Sequence, residues 1–122
     1  MKENDQLTKS IIGCCFKVHR ELGPGYNETV YHNALNLLFD NEGLKYESEK
    51  EFDVFFSNKK VGSFRADLVV QDEVIVETKS LSGNIPILFQ RQLISYLKAS
   101  GIKTGLLVNF GNKSCQVKRV VS

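Results

Sequence analysis

The chain has no tryptophan, one methionine, two prolines and two histidines. Its three cysteines, Cys14, Cys15 and Cys115, show no C-x-x-C spacing, which excludes the common kind of structural zinc site. The odd number, with two adjacent in an apolar stretch, argues against a disulfide framework. Cys14 and Cys15 read as small core residues, and a reducing cytoplasm is the expected location. Charge of one sign is also lacking: 16 basic against 14 acidic side chains leave +2, too little for bulk electrostatics to mark a nucleic-acid binder. Any such contact must be a local patch. Ile11 to Val18 is too short to span a bilayer, and Met1-Lys2-Glu3-Asn4-Asp5 is too acidic to open a secretory signal, so no membrane association is expected. No repeat, linker or low-complexity tract interrupts the sequence, and residues 1–122 are read as one domain.

What is present is clear periodicity. Leu7, Ile11, Cys14, Cys15, Val18 and Leu22 recur at helical spacing, with Asp5 as cap and Gly23-Pro24 as stop. Asn27 is positioned to cap a second helix with Val30, Tyr31, Ala34, Leu35, Leu37 and Leu38 on its apolar face, ended by Gly43. From Leu44 the period becomes two: Tyr46, Phe52, Val54 and Phe56 alternate with Lys45, Glu47, Glu49, Glu51 and Asp53, a half-exposed strand whose acidic side faces solvent. Ser57-Asn58-Lys59 and Gln71-Asp72-Glu73 have turn chemistry, so strands over about 60–70 and 74–76 complete a meander. Asn84 as cap and Pro86 in the first turn open a third helix with Phe89, Leu93, Tyr96 and Leu97 inward. Gly101 closes it, and two strands, about 103–110 and 115–121, flank the Gly111-Asn112 turn.

Leu68-Val69-Val70 and Val74-Ile75-Val76 are continuous apolar runs, as in strands covered on both faces, yet Asp67, Glu77 and Lys79 border them directly. Charges beside a core are normally paired, bound to metal or at an exposed strand end. If Gln71-Asp72-Glu73 is a three-residue hairpin loop, 67 and 77 lie opposite each other, close enough for both carboxylates to reach one divalent ion. Strand alternation puts Lys79 on the face of Glu77, where an ammonium serves an attacking water and the charge developing on phosphorus. The plainer alternative is a surface ion pair of Glu77 with Lys79. Gln92 and Tyr96 share a face of the third helix; Tyr96 also suits a core, whereas a glutamine on an apolar stripe needs a polar partner. Glu28, in the first turn of the second helix, is favoured there by the helix dipole alone. For His19 the expected role is a cation at a helix C-terminus; Tyr31 is expected to pack and His32 to be exposed. Lys59, Lys60, Arg65, Arg91 and Lys98 are the cations nearest in sequence, suited to phosphate contact without sequence reading.

Gly25-Tyr26-Asn27-Glu28-Thr29-Val30-Tyr31 matches G-x-x-E-x-x-Y, and the chain resembles the bacterial and archaeal GxxExxY family in that element. The resemblance continues through Val18-His19, Leu22-Gly23-Pro24, Arg65-Ala66-Asp67-Leu68, Val76-Glu77-Thr78-Lys79, Gln92-Leu93, Tyr96-Leu97-Lys98-Ala99 and Leu106 to Gly111. That family looks like a minimal branch of the PD-(D/E)XK superfamily, which implies a restriction-endonuclease-like α/β core, a mixed sheet with a three-stranded meander flanked by helices. The resemblance implies that Asp67 and Glu77 ligate Mg²⁺ (with Mn²⁺ as substitute), that the Thr78 carbonyl adds a ligand, and that Lys79 serves the water. Glu28 is then the acidic residue of the preceding helix, and Gln92 with Tyr96 matches a Q-x-x-x-Y element. At His32 relatives often carry an acidic residue. The expected activity is hydrolysis of nucleic-acid phosphodiester bonds, with DNA the expected substrate and Arg65, Arg91 and Lys98 as backbone contacts. The competing expectation is an inactive nuclease scaffold that binds nucleic acid or protein. So small a domain holds little duplex, and a homodimer is expected.

Overall fold

A computed structural model describes residues 2–122, with side chains from residue 5 onward. Two helices lead, α1 (Lys2–Leu22) and α2 (Glu28–Glu42). Three strands follow, β1 (Tyr46–Phe56), β2 (Lys59–Val70) and β3 (Val74–Lys79), then α3 (Ile87–Ser100), β4 (Thr104–Asn109) and β5 (Gln116–Val121). The strands form one sheet in the order β1-β2-β3-β4-β5, antiparallel except for the β3–β4 pair that α3 connects. This is the mixed α/β arrangement the period changes imply.

Helices α1 and α2 cover one face of the sheet, where Ile11, Cys15, Tyr31, Leu35 and Phe39 pack over Leu68, Val76, Leu106 and Val108. The other face is covered by α3, with Leu93 and Leu97 on Ala66, Val69, Ile75 and Leu107. The central strands are therefore apolar on both sides. Gly23, Gly43 and Gly101 follow the three helices at φ 70°, 72° and 79°, a left-handed conformation that a Cβ disfavours. Asn27 caps α2 by accepting the Val30 N–H at 3.3 Å.

Two capping expectations fail. Helix α1 already begins at Lys2, so Asp5 lies within its first turn, and its carboxylate pairs with Arg119 of β5 at 3.0 Å. Asn84 does not cap α3: Pro86 is the last extended residue, at ψ 141°, and its carbonyl takes the Phe89 N–H at 3.1 Å, so the entry has no side-chain cap. On α2, Leu37 is exposed and Phe39 is buried instead, because 31, 35 and 39 keep the four-residue step and 37 falls off that line.

Beyond the sheet, β1 and β2 continue as a two-stranded ribbon. Pairing of β2 with β3 covers only Leu68 to Val70, whereas its pairing with β1 runs on to Phe56 and Lys59, closed by Ser57-Asn58 with both φ positive. Strict alternation does not hold along it. Tyr46 packs on Phe39 below the sheet while Phe52 stacks on Phe64 on the α3 side, although both positions are even. The change of side falls at Glu49, a left-handed residue at φ 53° that is missing from the ladder opposite Asp67. A further slip between Val54 and Phe55 leaves Phe56 exposed at the tip.

Gly111, after β4, has no room for a side chain: a Cβ there would lie 2.3 Å from the Leu81 carbonyl oxygen and 2.4 Å from the Leu81 nitrogen. Backbone cannot yield as a side-chain tip does, so Gly111→Ala is expected to cost roughly 2–3 kcal/mol. Gly13, exposed in α1 with nothing within 4 Å of its Cβ position, is the control, and Gly13→Ala should stabilise by about 0.5–1 kcal/mol. Urea denaturation of both variants checks the pair; equal midpoints would show that the Leu81 contact is not tight.

Candidate functional site

The β2–β3 ladder ends at Leu68 and Val76. Beyond it the strands part, and side chains replace main-chain partners: the Asp67 N–H donates to Glu77 Oε2 at 2.8 Å, and the Thr78 N–H donates to Asp67 Oδ2 at 2.9 Å. The Thr78 hydroxyl donates to the same Asp67 oxygen at 3.2 Å. Backbone N–H groups leaving a sheet must find acceptors, and here the carboxylates supply them. On its other side β3 stays paired with β4 as far as Lys79 and Asn109, so Glu77, Thr78 and Lys79 are held rigidly from one side and open on the other. Each carboxylate is anchored through one oxygen. Asp67 Oδ1 and Glu77 Oε1 carry no hydrogen bond among the described residues.

Glu77 is 6% exposed. Burial pushes its carboxyl up to about 8; the Asp67 charge adds to this, the Asp67 N–H and Lys79 oppose it, and Glu28 raises it further. Glu28 itself is exposed in the first turn of α2, within electrostatic reach of Glu77. Lys79 makes no ion pair with either carboxylate; its Nζ sits 4.1 Å over the centre of the Phe89 ring of α3. Tyr96 stacks on Phe64 at 4.0 Å and 6°, half-buried; burial raises its pKa, with Glu77 and Asp67 adding to the shift. Gln92 is exposed and has no hydrogen bond among the described residues, so it lies off the apolar stripe where the sequence placed it, one residue short of Leu93.

Several residues that shape this region were not evident from sequence. Asn109, fully buried at the end of β4, makes four hydrogen bonds: Oδ1 accepts from Leu81 N and Gly111 N, and Nδ2 donates to Leu81 O and Gln116 Oε1. The Asn112 side chain clamps Gly83 N and O at 2.9 and 2.7 Å. Together they latch the segment between Lys79 and α3, which sets where α3 presents Phe89. Ser80 Oγ donates to the Tyr26 carbonyl at 2.5 Å, joining the end of β3 to the loop before Glu28. Tyr31 holds the other end of that loop: its hydroxyl donates to Gly23 O and accepts from Tyr26 N, while its ring stacks on Phe110 at 4.6 Å. The only sequence signal for this latch was two asparagines around Gly111. His19 departs from its expected role, being buried with Nε2 2.8 Å from the Asn112 carbonyl oxygen. His32 is half-buried, 3.3 Å from Ser48 Oγ.

Among the cations, Arg65 pairs with Glu49 at 3.3 Å and Lys60 with Asp53 at 3.2 Å, whereas Arg91 and Lys98 are exposed on α3. A cavity of about 570 Å³, lined by Asp72, Glu73, Lys103 and Arg119 among others, lies at the opposite end of β3. That cavity is lined by none of Glu28, Asp67, Glu77, Lys79, Gln92 and Tyr96. No helix among the described residues is long and apolar enough to cross a membrane.

Among the described residues no three His, Cys, Asp or Glu side chains come together as a closed metal cluster. Two carboxylate oxygens without hydrogen bonds, with an exposed third carboxylate within electrostatic reach, nevertheless suit a hard cation that keeps several waters, which describes Mg²⁺ better than a cage-bound metal. No curated protein matches the chain. Among solved structures, the crystal structure of SSO0001 shares its fold with a TM-score of 0.61 at 19% identity, over 77% of this chain; the chain spans about half, 49%, of that one. A family model described as PD-(D/E)XK nuclease superfamily matches residues 5–120. Nucleases of that superfamily usually use Mg²⁺ and act on nucleic acid. With nearly its whole length matched, and its meander carrying Asp67 opposite Glu77-x-Lys79, the chain belongs to the PD-(D/E)XK nuclease superfamily.

Proposed function

We propose that this protein is a Mg²⁺-dependent phosphodiesterase of the GxxExxY type that hydrolyses nucleic acid, with DNA as the substrate. The observation that carries the proposal is the crossed pair at the strand split: Asp67 and Glu77 each spend one oxygen on the opposing backbone and present the other free. In this reading Asp67, Glu77 and the Thr78 carbonyl hold the ion, with Glu28 contributing from α2. Bound Mg²⁺ supplies neutralisation of the phosphate charge. Lys79 would take the proton of the water that attacks phosphorus on its amine nitrogen, as the bond to the leaving oxygen breaks and solvent protonates that oxygen, and Tyr96 and Gln92 would orient the phosphate from α3. A homodimer presenting two such sites belongs to the same proposal.

A second reading, an inactive scaffold that binds nucleic acid or protein, draws on Lys79 resting over Phe89 rather than against either carboxylate. Calorimetric titration with Mg²⁺ or Mn²⁺, followed by cleavage of labelled single-stranded, duplex, flap and junction DNA, separates the two. Metal uptake with cleavage by wild type, reduced by at least about a hundredfold in Lys79→Ala, is the expected result. Absence of metal binding with and without DNA favours the scaffold.

A further inference from the structure

The start of α3 carries two exposed aliphatic side chains, Ile87 at 57% and Leu88 at 66%, immediately before the Phe89 that holds Lys79. Their helix is one-sided in charge. It contains Arg91 and Lys98 and no acidic residue, and neither cation makes an ion pair among the described residues. On the ribbon most cations are matched: Lys50, Lys60 and Arg65 each pair with a neighbouring carboxylate, and Lys59, opposite Phe56 at the tip, is the exposed exception. Ile87, Arg91 and Lys98 fall at i, i+4 and i+11, one exposed face of α3, and Leu88 adjoins the Phe89 on which Lys79 rests.

Resting on the nuclease reading above, we infer that α3 is the substrate track, with Ile87 and Leu88 as a platform for an unstacked base beside Lys79 and Arg91 with Lys98 on the phosphates that follow. Aliphatic side chains contact nucleic acid favourably where a base face is uncovered, and bases in an intact duplex offer no such face except at a forced step. The substrate class is therefore a single strand or a single-stranded extension of a duplex. Arg91 and Lys98 lie about 10 Å apart along the helix axis, so one backbone strand meets both in succession.

Fluorescence anisotropy in EDTA, using a labelled single-stranded oligonucleotide and a blunt duplex, tests this without cleavage. Ile87→Ser/Leu88→Ser, both positions exposed, should keep the wild-type melting temperature and bind the single strand about tenfold more weakly, with duplex affinity within about twofold. Arg91→Gln/Lys98→Gln should lower the slope of log affinity against log salt by about 1.4, the value for two phosphate contacts on a single strand. Lys9→Gln/Lys17→Gln, exposed on α1 across the sheet from α3, should change neither reading. Equal loss on both substrates from the serine pair, no loss on either, or an unchanged salt slope overturns the track. So does light scattering that shows a wild-type dimer split by the serine pair, which would make this face an interface between copies. A wild type that binds the single strand by these rules yet cleaves nothing with Mg²⁺ or Mn²⁺ overturns the nuclease reading and leaves the track standing.

Discussion

Glu77→Gln is expected to abolish Mg²⁺ binding and at the same time to raise the melting temperature of the metal-free protein. The carboxyl is buried, opposed by Asp67, and pushed up to about 8. Glutamine keeps an oxygen to accept the Asp67 N–H and never ionises, so it retains the bond and removes the buried charge. The sign follows from proton counting. Between the ordinary carboxylate range and about 8 the folded protein holds a proton that the unfolded chain has released, so stability is full in acid and falls as the pH rises through that window. Wild type should lose stability from about pH 5 to pH 8.5 and the variant should not, the gap reaching a few kcal/mol, or roughly 10–20 °C. Magnesium should raise the wild-type melting temperature and leave the variant unchanged. Asp67→Asn should also lose Mg²⁺ binding, while only lessening the pH dependence, because it removes the Asp67 charge and leaves Glu77 buried; asparagine still accepts the Thr78 N–H. Thermal scans across pH, with and without Mg²⁺, check this; a variant that melts lower and keeps its metal affinity would make the pair a structural feature.

Lys79→Arg should bind metal and substrate normally but cleave at least about a hundredfold more slowly in a single turnover. Arginine keeps the positive charge and stacks over the Phe89 ring as lysine does, so the position of the cation is preserved. What it lacks is a proton it can give up at accessible pH. A rate within about threefold of wild type, under ~1 kcal/mol in the barrier, would rule out proton transfer and leave Lys79 as an electrostatic clamp. Phe89→Leu is the companion variant: it frees the ammonium without altering its chemistry, and should affect cleavage less than Lys79→Arg does.

The sequence by itself determined the order of elements, because each is announced by a local period and punctuated by residues that act locally: Asn27 at a cap, Gly23, Gly43 and Gly101 at left-handed exits. It also determined the opposition of positions 67 and 77, since a three-residue turn centred on Asp72 leaves a hairpin only one register. Tertiary structure decided what local patterns do not encode. The side change of the ribbon at Glu49 depends on β1 packing against α2 at one end and α3 at the other, so no alternation within the strand reports it. His19 against Asn112, and Asn109 with Gly111 closing on Leu81, join residues far apart in the chain, and Lys79 resting on Phe89 depends on where α3 docks over the end of β3. Periodicity specifies which face an element buries; which buried faces meet, and therefore which polar groups they trap together, is settled by packing the elements against one another.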